Sequence, residues 1–248
     1  MHRDRFGYVC IATLIGLLAC PTVTRGNEEV IQTARLLAIL LDSGRVTIGS
    51  NQSLINDPNK GNKGFTADVF EEQLLATFQA RTGIDLRDMS RAGIPETAKP
   101  LLARLIEESK KTVTSYQPAI NVAGLKYKGL IPATFGTETA ARFRAWSGVY
   151  MKQTAPDHLL RNPKNKPDDY EATLFQKISN NGNSEHDTVM SEAVEGQSIR
   201  VLLPLFYTRA CLSCHGEPKG ERDISGYPKE GGKEGQLAGG ISVKIDLK

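Results

Sequence analysis

Cysteine is scarce in this chain. There are four among 248 residues: Cys10 and Cys20 near the N-terminus, and Cys211 and Cys214 far beyond it. So low a count excludes a small scaffold stapled by disulfides. No run of lysine and arginine stands out and the net charge is only +3, which leaves a nucleic-acid-binding face without support. A mixed, solvated surface accounts for the charges. The apolar run Tyr8 to Ala19 covers about a dozen residues, too short for a bilayer core of ~30 Å. Also missing are a second C-x-x-C pair, a distal His/Arg pair at recognisable spacing and an isolated nucleophile–base pair. An enzyme such as a peroxidase therefore has little behind it.

What is present suffices for a packed core, with 40% hydrophobic and 24% charged residues. The N-terminus reads as an export signal over residues 1–26: His2, Arg3 and Arg5 precede the apolar run. Its removal, taking Arg3, Arg5, Arg25 and Asp4, would leave a charge of about +1. Leu17-Leu18-Ala19-Cys20 resembles a lipoprotein cleavage box with Cys20 as the lipidated residue, although Leu18 and Pro21 are unusual neighbours there. Two outcomes stand, a lipid-anchored form and a free periplasmic one, with an uncleaved anchor as the minority case. Residues 27–248 are expected to form a single domain.

The strongest organisational feature is an internal repeat. Shifted by 65 positions, residues 36–87 align without a gap on 101–152, and sixteen of the 52 pairs are identical. They include Gln52/Gln117, Asn56/Asn121, Lys63/Lys128, Phe70/Phe135 and Gly83/Gly148. Two copies are too few for a solenoid, so a duplicated helix–loop–helix unit is expected. Leu36, Leu37, Leu40 and Leu41 keep helical spacing, Asp57 to Gly61 marks a loop, and Gly83 ends a second amphipathic stretch.

After the repeat, Asp168 with Glu171 signals a helix start, and Tyr170, Leu174, Phe175 and Ile178 form its apolar face. Strands follow. Ile199, Val201, Leu203 and Leu205 alternate, with Thr188 to Val194 as a partner across Glu195-Gly196-Gln197. Ile241, Val243, Ile245 and Leu247 alternate in a last strand. Helices first and an antiparallel sheet second is an α+β pattern.

Cys211-Leu212-Ser213-Cys214-His215 has the C-x-x-C-H spacing of a covalent c-type haem site. Two thiols must reach the two vinyl groups of one porphyrin edge, and the next residue must swing an imidazole beneath the iron. Two intervening residues on a helical turn allow both. One haem c is expected, bound through Cys211 and Cys214, with His215 as an axial ligand. A structural zinc site would need further ligands, a thioredoxin-like pair a βαβ setting, and a plain disulfide no histidine at all.

The run from Cys211 to Gly216, with Asp223-Ile224-Ser225-Gly226-Tyr227 and Gly240-Ile241-Ser242-Val243, resembles the bacterial single-haem cytochrome c family with a PAS-like fold. Arg161-Asn162-Pro163 and Ile55-Asn56-Asp57-Pro58 match its pattern as well. The resemblance implies a PAS-like antiparallel sheet with flanking helices, and a redox or small-ligand sensing role. The alternative is a periplasmic single-haem electron carrier. With no kinase segment before Lys248, signalling is expected to pass through a partner protein. Some relatives supply a cysteine as second axial ligand from the N-terminal helix region, where this chain has Asn51 and Gln52. His158 ranks first for that role, ahead of His186, Met89, Met151 and Met190, and an open site that takes a diatomic ligand is the competing state. Arg161 is expected either to pair with a haem propionate or to brace its loop.

Overall fold

The structure, a computed structural model, describes residues 25–180 and 191–247. Of the expected export segment only Arg25 and Gly26 fall within them; Cys10, Cys20, His186 and Met190 lie outside. The chain is α+β, as its pattern suggests. No helix among the described residues is long and apolar enough to cross a membrane.

The repeat is visible in the element bounds. Helix α1 (Arg25–Ser50) and the short α2 (Gln52–Ile55) lead into α3 (Ala67–Thr82). After α4 (Ala98–Ile120), α5 (Pro132–Ser147) occupies the positions of α3 displaced by 65. Thr66 caps α3 by accepting from the Val69 amide at 3.2 Å, whereas α5 begins with Pro132, whose missing N–H costs nothing in a first turn. Both end at a left-handed glycine, Gly83 at φ 74° and Gly148 at φ 71°. An L side chain would be strained there, so the matched glycines mark matched helix ends.

The two units grip each other reciprocally. Gln52 Nε2 donates to the Leu130 carbonyl at 2.9 Å, and its counterpart Gln117 Nε2 donates to the Phe65 carbonyl at 2.6 Å. Asn56 Oδ1 accepts from the Lys128 amide at 3.2 Å, and Asn121 Oδ1 from the Lys63 amide at 3.1 Å. Lys63 and Lys128 are both buried, and each folds its ammonium onto carbonyls of its own loop, Lys60 and Gly61 for the first and Val122 for the second. These identities are therefore matched contacts across an approximate two-fold arrangement. Near its centre the paired Phe70 and Phe135 meet with ring centroids 5.3 Å apart. Gly44 of α1 lies under this pair: a Cβ there would fall 2.5 Å from the Phe135 ring.

The sheet takes the order β1-β4-β3-β2, antiparallel throughout, from β1 (Tyr150–Thr154), β2 (Ser191–Glu195), β3 (Ser198–Phe206) and β4 (Leu237–Asp246). Ile199, Val201 and Leu203 of β3, with Ile241 and Val243 of β4, join the helical core around α1. Leu202 and Leu237 point the other way and pack on Phe175 of α6 (Asp169–Asn180). The period-two alternation sets Leu202 opposite to Val201 and Leu203, and the register shift between Leu205 and Phe206 turns Leu237 to the α6 side, so the sheet lies between two layers. Asp168 and Glu171 start α6 by a reciprocal box: the Asp168 amide donates to Glu171 Oε2 at 3.1 Å and the Glu171 amide to Asp168 Oδ1 at 3.0 Å.

The expected repeat runs too far at its end. Leu86–Asp88 is a 3-10 turn, while Tyr150 to Lys152 open β1, because the chain after Gly148 is captured by the edge of β4. The hairpin turn is also tighter than expected: Glu195 still pairs with Ser198, leaving Gly196 at φ 61° and Gln197 as the turn. Thr188 to Met190 lie outside the described residues.

Phe70→Ala and Phe135→Ala should each destabilise the fold by about 3–5 kcal/mol in urea denaturation. The double variant should show a coupling of about 0.5–1.5 kcal/mol, and strict additivity would mean that the rings do not act as a pair.

Candidate functional site

Strand β3 delivers the chain to the C-x-x-C-H motif. Beyond Phe206 come Tyr207, a 3-10 turn at Arg209–Cys211 and the single helical turn α7 (Leu212–His215). The Thr208 amide and hydroxyl lie 3.4 and 3.3 Å from Cys211 Sγ, closing the start of that turn. The returning chain then clamps it. Tyr207 donates its amide to Gln236 and accepts from the Gly235 amide, both at 2.8 Å, and the Gly232 amide donates to the His215 carbonyl at 2.7 Å. Gly232 must be small here, since a Cβ would sit 2.7 Å from the Tyr207 ring.

His215 is fixed on two sides. Its ring stacks on Tyr207 with centroids 5.1 Å apart and planes 29° from parallel. Its Nδ1–H donates to Glu230 Oε2 at 2.9 Å, which leaves the Nε2 lone pair free. Glu230 is itself gripped by Arg161, whose Nε reaches Oε1 at 2.5 Å and whose second terminal nitrogen reaches Oε2 at 2.9 Å. The first terminal nitrogen of Arg161 donates to Asp223 Oδ2 at 2.6 Å, and the second also donates to the Cys214 carbonyl at 2.8 Å.

The electrostatics follow from burial and this pairing. Burial, helped by the Arg161 charge, lowers the His215 pKa against the pull of Glu230 and favours the neutral imidazole that a metal requires. Burial would raise Asp223 and Glu230, but hydrogen bonds win: Ser225 and Arg161 hold Asp223 low, and Arg161 with His215 holds Glu230 low. Burial pushes the Cys214 thiol up.

Cys211 and Cys214 are both free, half-buried thiols, Cys214 on the same helical turn as His215 and Cys211 just before it. Arg161 reaches the motif with its guanidinium shared between two carboxylates and the Cys214 carbonyl. His158 is exposed, in the 3-10 turn Asp157–Leu159 of the segment that carries Arg161. Met151 is buried in the helical core and Met89 packs against it. Asn51 and Gln52 are spent inside the repeat, on Thr47 and Gln73 and on Ile48 and Leu130. Among the described residues no group of three or more His, Cys, Asp and Glu side chains is gathered as a metal cage.

Sequence reasoning passed over Glu230, Tyr207 and Tyr127. Tyr127, in the loop between α4 and α5, lies close enough to Asp223, Cys214 and Tyr227 to feel their charge, and its pKa is raised mainly by burial. Only tertiary contact could reveal it, since most of the chain's second half separates it from the motif. The two segments that meet at Cys214 also expose apolar side chains. Of the six exposed large hydrophobic residues among those described, Val122 and Leu125 precede Tyr127, and Ile224 and Tyr227 belong to the turn organised by Asp223.

Fold and site together define an α+β protein with one Cys-x-x-Cys-His segment at the end of the inner strand β3, locked by an arginine–carboxylate cluster. The chain belongs to the Tll0287-like family, whose model, Tll0287, matches residues 79–246. Among solved structures it is similar to the cyanobacterial heme-protein Tll0287 at 16% identity and a TM-score of 0.42, over 61% of this chain and 94% of that one. No curated protein matches.

Replacing Arg161 by methionine leaves Asp223 and Glu230 without their cation. The expected cost is about 3–5 kcal/mol in thermal or urea unfolding, as for other buried pairs broken on one side. Limited proteolysis should cut first between residues 217 and 235. A variant as stable and protease-resistant as the parent would show that the cluster does not hold this segment.

Proposed function

We propose that this chain is an exported, covalent c-type haem protein that acts as a redox or small-ligand sensor module. One observation carries the reading: Cys211 ends a 3-10 turn that runs straight into the helical turn bearing Cys214 and His215, and the Glu230 contact at Nδ1 leaves Nε2 as the ring nitrogen free to ligate. The residues fit the group. Both thiols are unpaired, burial favours the neutral form of the imidazole, and Ile224 and Tyr227, in the turn organised by Asp223, are exposed apolar side chains. Family membership points the same way, since Tll0287 is a heme-protein. When bound, haem would supply a one-electron iron couple and a site for ligand exchange. The residues of this chain would do the rest: Cys211 and Cys214 would tether it and His215 would ligate it, while Tyr207 and Glu230 orient the ring and Arg161 ties the cluster to the backbone of the motif.

Sensing is placed ahead of electron carriage because the side chains weighed for the second axial position are largely committed elsewhere. Met89 and Met151 pack in the core, and Asn51 and Gln52 are hydrogen-bonded within the repeat. His158 remains, exposed and on the segment that reaches the motif. The electron-carrier reading requires that it, or a residue outside those described, fill the site. In either reading the protein works in the periplasm, free or anchored through a lipidated Cys20, and hands its signal or electron to a partner protein.

An absorption spectrum of the purified holoprotein tests both levels. Covalent haem is expected in the parent and lost in the Cys211→Ala, Cys214→Ala double variant; a parent without haem would sink the assignment. Reduced haem that takes up carbon monoxide supports ligand sensing. A low-spin, six-coordinate spectrum indifferent to carbon monoxide supports the carrier, and His158→Ala should then open the site.

A further inference from the structure

We propose that Glu230 is a positioning residue that gives His215 partial imidazolate character and so biases the haem toward its oxidised state. The inference rests on the haem reading above and adds to it the control of the iron's potential.

The geometry supports this beyond a simple brace. A histidine ligand is oriented by whatever accepts its second ring proton, and the acceptor also sets the basicity of the ligating nitrogen. A backbone carbonyl would present a dipole; here the acceptor is a charged carboxylate at 2.9 Å. Charge-assisted bonds of this kind are roughly twice as strong as neutral ones. Arg161 holds both oxygens of that carboxylate, so Glu230 cannot rotate away from the ring. Tyr207 stacks on the imidazole and fixes its plane. The glutamate side chain is only 16% exposed, so water screens the contact weakly.

The local charge acts in the same sense. Asp223 and Glu230 bring two negative charges against the single positive charge of Arg161. A more basic Nε2 and a net negative surrounding both favour Fe(III) over Fe(II), so the iron accepts an electron only from a low-potential reductant.

The test compares the holoprotein with Glu230→Gln, which keeps shape and removes charge, in a spectroelectrochemical titration with dithionite as the electron source. The midpoint potential should move to more positive values. The iron–histidine stretch of the reduced form should fall in frequency; if a sixth ligand hides it, the photolysed carbon monoxide adduct reports it. Asp223→Asn removes a charge of the same sign that does not touch His215, and should move the potential but not the stretch. If Glu230→Gln fails to load haem, Glu230→Asp, which keeps the charge and lengthens the contact, should shift the stretch in the same direction by less. Haem-bearing Glu230 variants with unchanged potential and stretch would overturn the inference and leave the haem assignment standing. A parent without covalent haem would instead fail that assignment first.

Discussion

The guanidinium of Arg161 meets Asp223 at 2.6 Å, Glu230 at 2.5 Å and the Cys214 carbonyl at 2.8 Å. Much of the site hangs on this arrangement. Asp223 is nearly sequestered from water and organises its own turn, accepting from the Ser225 and Tyr227 amides. Unpaired, a carboxylate so placed would be costly; paired, it joins three segments that lie far apart in sequence. Arg161 holds Glu230 against His215 directly, while Asp223 holds the turn bearing Tyr227. A planar fork with several donors in fixed directions suits such a junction, which a lysine could not reproduce.

Beneath the site is a scaffold whose stiffness comes from duplication. Each unit satisfies a backbone carbonyl of the other, on buried Leu130 and Phe65, through a matched glutamine, and anchors the other's loop through a matched asparagine. Buried backbone groups are thereby paired without a sheet between the units. The second unit then diverges: past Gly148 its chain becomes the edge strand β1, and the α4–α5 loop carries Tyr127 toward Cys214. Duplication built the platform, and loss of symmetry in one copy brought it into contact with the motif.

Much of this was legible in the chain itself. The 65-residue shift located α3 and α5 because their apolar faces and terminal glycines are local features. The alternation in β3 and β4 and the box at Asp168 and Glu171 rest on equally local rules. Strand β1 was missed, since Tyr-Met-Lys-Gln-Thr is short and becomes a strand only by pairing with β4. Glu230 was missed because a glutamate in a glycine-rich loop carries no signal of its partner.

Sequence alone determined the spacing of the two thiols and the imidazole, because it is a property of a few consecutive residues. It likewise determined the duplicated helical unit and the sheet that follows it. Which charges surround His215, what Arg161 holds, and which loop lies beside Cys214 were decided by the tertiary structure. Those contacts join residues from distant parts of the chain, and their energies depend on burial and distance that only the folded chain sets.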